Sequence, residues 1–107
     1  MTAFAVDFDP AAEADLDDIG RYIAGKASVA IALGFIDRLE RACLSLADAP
    51  WRGTTRDEIR PGLRTFGVER RATIVFAIDE DARRVVILAV LFGGQDMRKA
   101  LRRRATK

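Results

Sequence analysis

Histidine is absent from the 107 residues, and cysteine and tryptophan occur once each. Without histidine the chain has no Ser-His or Cys-His nucleophile and no imidazole metal ligand. The single cysteine, Cys43, forms no internal disulfide. Acid–base catalysis would have to use Asp, Glu, Lys, Tyr22 or Cys43. We therefore expect no metal site and no cofactor.

Long apolar runs are also missing. No stretch approaches the roughly 20 apolar residues of a membrane span, and the N-terminus has acidic residues where a signal peptide needs basic ones. Half of the residues are hydrophobic and 32% are charged, which is typical of a folded protein. We expect one domain over residues 1–107, in the cytoplasm and without membrane contact.

The charges are unevenly distributed. Residues 1–53 carry 9 acidic and 5 basic side chains, whereas residues 54–107 carry 7 acidic and 13 basic ones. Residues 97–107 contain six basic side chains and no acidic one. A basic second half indicates an acidic or nucleic-acid-bearing partner. The alternative is a solvated basic tail.

The chain begins with the pattern of a strand and a helix. Phe4, Val6 and Phe8 alternate with other residues, as in a short strand. Asp9-Pro10 is typical of a helix start, and Gly25 is predicted to end that helix. The apolar stripe of the helix consists of Ala12, Leu16, Ile19 and Ile23. The acidic residues expected to face away or to favour the helix start are Asp15, Asp17 and Asp18.

A second helix is predicted to follow Ser28 and to stop before Pro50. Its apolar stripe consists of Ala32, Phe35, Ile36, Leu39, Cys43 and Leu46. We interpret Cys43 as a small core residue rather than a redox centre. Because only a few residues join the two helices, they should form an antiparallel hairpin. Residues 50–62 carry two prolines and two glycines, which is typical of a loop.

Strand patterns dominate the second half. They predict strands over residues 63–68, 72–78 and 85–92, joined by turns at Arg70-Arg71 and at residues 79–81. The last strand is nearly continuous in apolar residues, which favours burial on both faces. After Gly93-Gly94, residues 95–104 fit a short basic helix. We predict an α+β fold: an N-terminal strand, an antiparallel helical hairpin on a small antiparallel sheet, a three-stranded antiparallel meander and a short C-terminal helix.

Four segments in this order carry a family resemblance. They are PAAEADLDDIGRYIA (10–24), FIDRLERACLSLADAP (35–50), RDEIRPGLRTFGV (56–68) and TIVFAIDEDARRVVILAVLFGGQD (73–96). Together they resemble the ParE/RelE superfamily of type II toxin–antitoxin toxins over nearly the whole chain. The resemblance implies a bacterial toxin that forms a hetero-oligomer with a cognate ParD-like antitoxin.

The resemblance leaves two targets open. RelE-like members are ribonucleases that cut mRNA in the ribosome, whereas ParE-like members trap DNA gyrase on cleaved DNA. The ribonucleases use a cation just after the last strand and then a tyrosine or histidine. Here residues 92–96 are Phe-Gly-Gly-Gln-Asp, and no tyrosine follows Tyr22, whose ring we expect to pack at the helix–sheet boundary. This pattern favours the ParE-like branch and a gyrase inhibitor that is not an enzyme.

Two other functions stay open. The first is a ribosome-dependent mRNA interferase with a displaced site, built from Arg64, Arg70, Arg71 and Arg84. The second is a degenerate toxin that only binds its antitoxin.

The candidate contact residues follow from residue type and position. Trp51 suits a target-binding hot spot, or alternatively an anchor that closes one end of the core. The basic run is expected to contact DNA held by gyrase without reading its sequence, through Arg102, Arg103 and Arg104. The residues expected to bind the antitoxin, by Arg–carboxylate pairs or apolar contact, are Arg56, Arg60, Arg64, Arg84, Met97 and Leu101. Exposed apolar surface is expected on the sheet.

Overall fold

The computed structural model describes residues 3–93. Their elements are, in order, β1 (Ala5–Phe8), α1 (Pro10–Lys26), α2 (Val29–Leu44), a 3-10 turn (Ser45–Ala47), β2 (Thr54–Thr55), β3 (Leu63–Val68), β4 (Ala72–Asp79) and β5 (Arg84–Phe92). The predicted α+β fold is confirmed over this range. The predicted C-terminal helix lies outside the described residues. Within residues 3–93, neither helix is long and apolar enough to cross a membrane.

Side-chain caps start both helices where the sequence predicts them. The Asp9 carboxylate accepts the Ala11 N–H at 2.8 Å, and the Ser28 hydroxyl accepts the Ile31 N–H at 3.1 Å. The predicted end at Gly25 is wrong. The Ala27 N–H donates to the Ile23 carbonyl at 2.8 Å, so the helical bonding continues past the glycine to Lys26. Two residues then join α1 to α2, as the predicted hairpin requires.

The sheet has five strands in the order β1-β5-β4-β3-β2. The antiparallel meander of β3, β4 and β5 is confirmed. The expectation of a wholly antiparallel sheet is wrong, because β1 pairs parallel to β5, from Ala5 with Arg84 to Phe8 with Ile87. Parallel neighbours need a crossover connection, which the helical hairpin and the meander supply. The loop predicted over residues 50–62 contains a short strand, β2, which pairs with Thr65 and Arg64.

The two helices cover one face of the sheet. Their predicted stripes are buried against strand residues that include Ile74, Phe76, Val85 and Ile87. A second, smaller cluster on the other face contains Leu63, Val75, Ala89 and Leu91, with Ile59 packed against it. Strand β5 is thus buried on both faces, as predicted.

The expected apolar surface on the sheet is not found among the described residues. The large hydrophobic side chains that are exposed there lie on the helices and in the following loop: Tyr22, Val29, Ile31, Leu33, Leu44 and Trp51. The strand residues avoid exposure because each face of the sheet has its own apolar cluster.

Strand β5 contains a bulge and, two residues later, a contact with α1. Val75 pairs with Ala89 while its neighbour Phe76 pairs with Ile87, so Leu88 is an extra residue in the ladder. The Asp15 carboxylate accepts the Val90 N–H at 2.8 Å. The expectation that Asp15 faces away from the sheet is therefore wrong.

Candidate functional site

The candidate site is centred on Trp51, in the loop that follows the 3-10 turn. Its side chain is 54% exposed although it follows the buried Pro50. The alternative role as an anchor that closes the core is therefore wrong, because a core anchor must be buried. An exposed tryptophan next to a packed segment has the character of an interface hot spot.

The loop backbone is held close to β3 at Gly53. This glycine has φ +84°, and a Cβ atom there would lie 2.1 Å from the Thr65 carbonyl oxygen. Only glycine fits, since both the left-handed backbone and the close approach exclude a side chain. The position of the Trp51 loop therefore depends on glycine at position 53.

Arg64 fixes the Trp51 loop from β3. Its Nη2 donates to the Trp51 carbonyl at 2.6 Å and its Nε donates to the Arg52 carbonyl at 3.2 Å. Its guanidinium carbon lies 5.8 Å from the centre of the Trp51 ring. Arg64, which the sequence analysis assigns to antitoxin binding, thus also positions Trp51.

Grooves flank Trp51 on two sides. The larger, about 480 Å³, is lined by Ala3, Phe4, Ala47, Asp48, Pro50, Trp51 and Arg83. In this groove the Arg83 guanidinium carbon lies 4.5 Å from the centre of the Phe4 ring. The smaller, about 260 Å³, includes Arg64 and Glu80 in its wall. The sequence analysis missed Phe4 and Arg83 as neighbours of Trp51, because only the parallel pairing of β1 with β5 brings them together.

The other arginines predicted to bind the antitoxin lie in two places, the connection between β2 and β3 and the β1–β5 pair. Arg56 donates from Nε to the Thr65 hydroxyl at 3.1 Å, and its Nη1 lies 3.9 Å from a Glu58 oxygen. Arg60 is exposed in the same connection between β2 and β3. Arg84 instead forms an ion pair with Asp7 across the β1–β5 pair. The structure therefore groups Arg56 and Arg60 with Arg64 and separates Arg84 from them.

A second group of arginines surrounds the β3–β4 turn at the opposite end of β3. The Arg38 guanidinium donates to Glu69 through Nε at 2.6 Å and through Nη2 at 3.3 Å. This hydrogen bond lowers the pKa of Glu69 and raises that of Arg38. The Arg71 guanidinium carbon lies 4.6 Å from the Phe35 ring centre.

Tyr22 and Cys43 both have packing roles in the structure. The Tyr22 ring meets the Phe92 ring edge-on, with 5.9 Å between centres, which confirms the predicted place at the helix–sheet boundary. Cys43 is buried in the main core, as predicted, and desolvation raises the pKa of its thiol to about 12, with a smaller contribution from Glu40. A thiol with this pKa stays protonated at neutral pH and is a poor nucleophile.

Several predicted contact residues lie outside the described residues: Met97, Leu101, Arg102, Arg103 and Arg104. Among residues 3–93, no three Cys, Asp or Glu side chains come together as a group able to hold a metal ion.

Comparisons with known proteins agree with this fold. A solved structure titled "Chromosomal ParDE TA system from P. aeruginosa" is similar with a TM-score of 0.73 at 22% identity, covering 84% of this chain and 96% of that one. A chain of the toxin–antitoxin complex RelBE2 from Mycobacterium tuberculosis is similar with a TM-score of 0.62 at 18% identity, covering 85% and 99%. At these identities the likeness concerns the fold alone.

Sequence comparison gives the family. Toxin ParE3 of Caulobacter vibrioides is 34% identical over 83 residues, which are 78% of this chain and 80% of that protein. The family described as "ParE toxin of type II toxin-antitoxin system, parDE" matches residues 6–97. The chain therefore belongs to the ParE toxin family of type II toxin–antitoxin systems.

Proposed function

We propose that this toxin inhibits DNA gyrase by binding to it and trapping the cleaved DNA complex, with no catalytic group of its own. A cognate ParD-like antitoxin neutralises it, and both act in the cytoplasm. Membership of the ParE family supports this proposal. The solved relatives titled as a ParDE system and as a RelBE2 toxin–antitoxin complex support an antitoxin partner.

The non-catalytic mechanism is supported by the distance along β3 that separates Arg64 from Arg70 and Arg71. A ribonuclease must bring its cations and its acid–base group to one phosphate. Arg64 lies near the start of β3, whereas Arg70 and Arg71 follow its end. At about 3.3 Å per strand residue, the four steps from Arg64 to Val68 at the end of β3 span roughly 13 Å. Because Arg64 and the Arg70–Arg71 pair lie at opposite ends of β3, this geometry favours a binding mechanism over the mRNA interferase alternative built from Arg64, Arg70, Arg71 and Arg84.

Trp51 and its surroundings suit a binding mechanism. A toxin can hold gyrase in its cleaved state only if its contacts favour that state over the religated one. An exposed tryptophan, fixed by Arg64 and flanked by grooves, supplies a large and rigid contact area. We assign Trp51 to the gyrase contact.

The antitoxin contacts are assigned to exposed side chains other than Trp51. Arg56 and Arg60 offer guanidinium groups to acidic side chains beside β2. Exposed apolar side chains on α2, which include Val29 and Leu33 one helical turn apart, offer a surface for an amphipathic segment.

Purified gyrase, supercoiled plasmid, ATP and the antitoxin-free toxin test the proposal. We expect linear DNA with covalently attached gyrase to accumulate, and the antitoxin to suppress it. Growth arrest in cells without any cleaved plasmid would reject gyrase as the target and direct the search to mRNA cuts on ribosomes. Absence of growth arrest with antitoxin binding retained would indicate a toxin that only binds its antitoxin.

A further inference from the structure

The smaller groove beside Trp51 carries a net negative charge. Its volume is about 260 Å³, and its lining includes Trp51, Asp57, Leu63, Arg64, Ile78 and Glu80. Two carboxylates against one guanidinium give this lining a net charge of −1. The whole chain has a net charge of +2, and residues 54–107 carry 13 basic and 7 acidic side chains. The groove is therefore an acidic site on the basic half of the protein.

Both carboxylates of the groove have oxygens available to a partner. Glu80 is exposed, and among residues 3–93 no hydrogen bond or ion pair engages its side chain. Asp57 accepts the Gly62 N–H through Oδ1 at 2.9 Å, which leaves its Oδ2 available. Carboxylate oxygens form their strongest hydrogen bonds with cationic donors such as an ammonium or a guanidinium.

The cation in the wall of the groove, Arg64, is engaged elsewhere. Its Nη2 and Nε donate to the carbonyls of Trp51 and Arg52. Within the described part of the chain it forms no ion pair with Asp57 or Glu80. Arg64 therefore fixes the wall of the groove and leaves both carboxylates to a cation from outside.

The apolar part of the lining suits the stem of a long basic side chain. Leu63 is buried, Ile78 is half-buried and Trp51 is exposed. Lysine and arginine side chains pack their methylene groups against such surface and hold the charged end in a polar environment. The face of an indole ring also attracts a cation. A phosphate group, in contrast, would be repelled by Asp57 and Glu80.

We propose that this groove binds a lysine or arginine side chain of gyrase, so that the Trp51 face of the toxin contacts protein rather than DNA. The basic side chain packs its stem against Trp51 and Ile78 and donates to Asp57 and Glu80. This inference rests on the proposed function and defines the chemistry of its target contact.

The test is the affinity of the full-length, antitoxin-free toxin for purified gyrase without DNA, measured by biolayer interferometry. We expect Glu80→Gln and Asp57→Asn each to weaken binding about tenfold, because each removes one charged acceptor from an interfacial pair. Both substitutions keep the size of the side chain, and Asp57→Asn keeps an oxygen that accepts the Gly62 N–H. The melting temperature and the antitoxin affinity should not change in Glu80→Gln, because that side chain has no partner among residues 3–93.

Asp81 supplies the matched control. It is an exposed acidic residue next to Glu80 but does not line the groove. We expect Asp81→Asn to bind gyrase within about twofold of wild type.

Three results would overturn the proposal. The first is wild-type affinity in both Glu80→Gln and Asp57→Asn, which would leave the gyrase proposal standing if the wild-type toxin still traps cleaved DNA. The second is an equal loss in Asp81→Asn, which would indicate a general effect of charge. The third is a loss that appears only when DNA is added, which would assign the groove to nucleic acid. No binding of the wild-type toxin to gyrase, with or without DNA, would reject both this inference and the proposed function.

Discussion

The carboxylate of Asp15, on the first helix, accepts the backbone N–H of Val90, on the last strand, at 2.8 Å. This contact lies next to the Leu88 bulge, where the regular ladder between β4 and β5 is interrupted. Val90 stays paired with Ile74 of β4, but β1 pairs with β5 only as far as Ile87, so β1 supplies no acceptor beside Val90. A backbone N–H beyond the end of a neighbouring strand needs another acceptor. Asp15 supplies one and fixes α1 against β5.

Removing this acceptor should destabilise the fold. We expect Asp15→Ala to lower the free energy of unfolding by about 1–3 kcal/mol, because the Val90 N–H loses its partner. Chemical denaturation measures the change. Asp15→Asn should lower the free energy of unfolding by less, since an amide oxygen still accepts the Val90 N–H. Asp17 lies on the exposed side of the same helix, so Asp17→Ala should stay within about 0.5 kcal/mol of wild type. Equal losses for Asp15→Ala and Asp17→Ala would contradict this role.

Gly53 offers a second test, with Gly62 as its matched control. Both glycines have a left-handed backbone, but a Cβ atom would meet the Thr65 carbonyl at Gly53 and nothing within 4 Å at Gly62. We expect Gly62→Ala to cost about 1 kcal/mol from backbone strain, and Gly53→Ala to cost at least about 2 kcal/mol. Denaturation measures both changes, and tryptophan fluorescence should report a displaced Trp51 in Gly53→Ala alone. If both variants lost the same free energy of unfolding, the close approach of Gly53 to the Thr65 carbonyl would be unimportant.

The Arg38–Glu69 pair should make stability depend on pH. The hydrogen bond from Arg38 lowers the pKa of Glu69 in the folded state, so its stabilising contribution is complete above the ordinary glutamate pKa. That contribution is lost as the pH falls through the lowered pKa. We expect wild type to be more stable than Glu69→Gln at neutral pH, and the two to converge in acid. If the stability difference between wild type and Glu69→Gln did not vary with pH, the Arg38–Glu69 ion pair would be excluded as its source.

Cys43 should be unreactive while the chain is folded. Burial raises the pKa of its thiol to about 12, so almost no thiolate is present at neutral pH. We expect alkylation by iodoacetamide to proceed only as fast as the protein unfolds, and to be complete in denaturant. Rapid alkylation of the folded toxin would contradict the core assignment.

The local structure of this chain could be predicted from its sequence because local signals determine it. Asp9 and Ser28 are N-caps of a common type, and the apolar stripes of both helices have the helical period. The prediction that α1 ends at Gly25 is wrong because a glycine that ends a helix usually has a left-handed backbone. The φ of Gly25 is not in that region. The strands of the meander are neighbours in sequence, so their pairing follows from short turns.

The features missed from the sequence depend on distant contacts. Nothing near β1 indicates that it pairs in parallel with β5, so the groove formed by Phe4, Arg83 and Trp51 could not be predicted. The role of Asp15 depends on the Val90 N–H, 75 residues later in the chain. The clamp of Arg64 on the Trp51 carbonyl likewise joins a loop to a strand and has no periodic signal.

The central claim is that the toxin acts on gyrase by binding through Trp51 rather than by catalysis. The most direct measurement compares Trp51→Ala with Tyr22→Phe in the gyrase cleavage assay, after verifying that both variants bind the antitoxin. Tyr22→Phe keeps the ring against Phe92 but removes the only phenol. We predict that Trp51→Ala loses most of the trapped DNA, whereas Tyr22→Phe traps as much as wild type. Loss of toxicity in Tyr22→Phe, with Trp51→Ala fully active, would contradict the account.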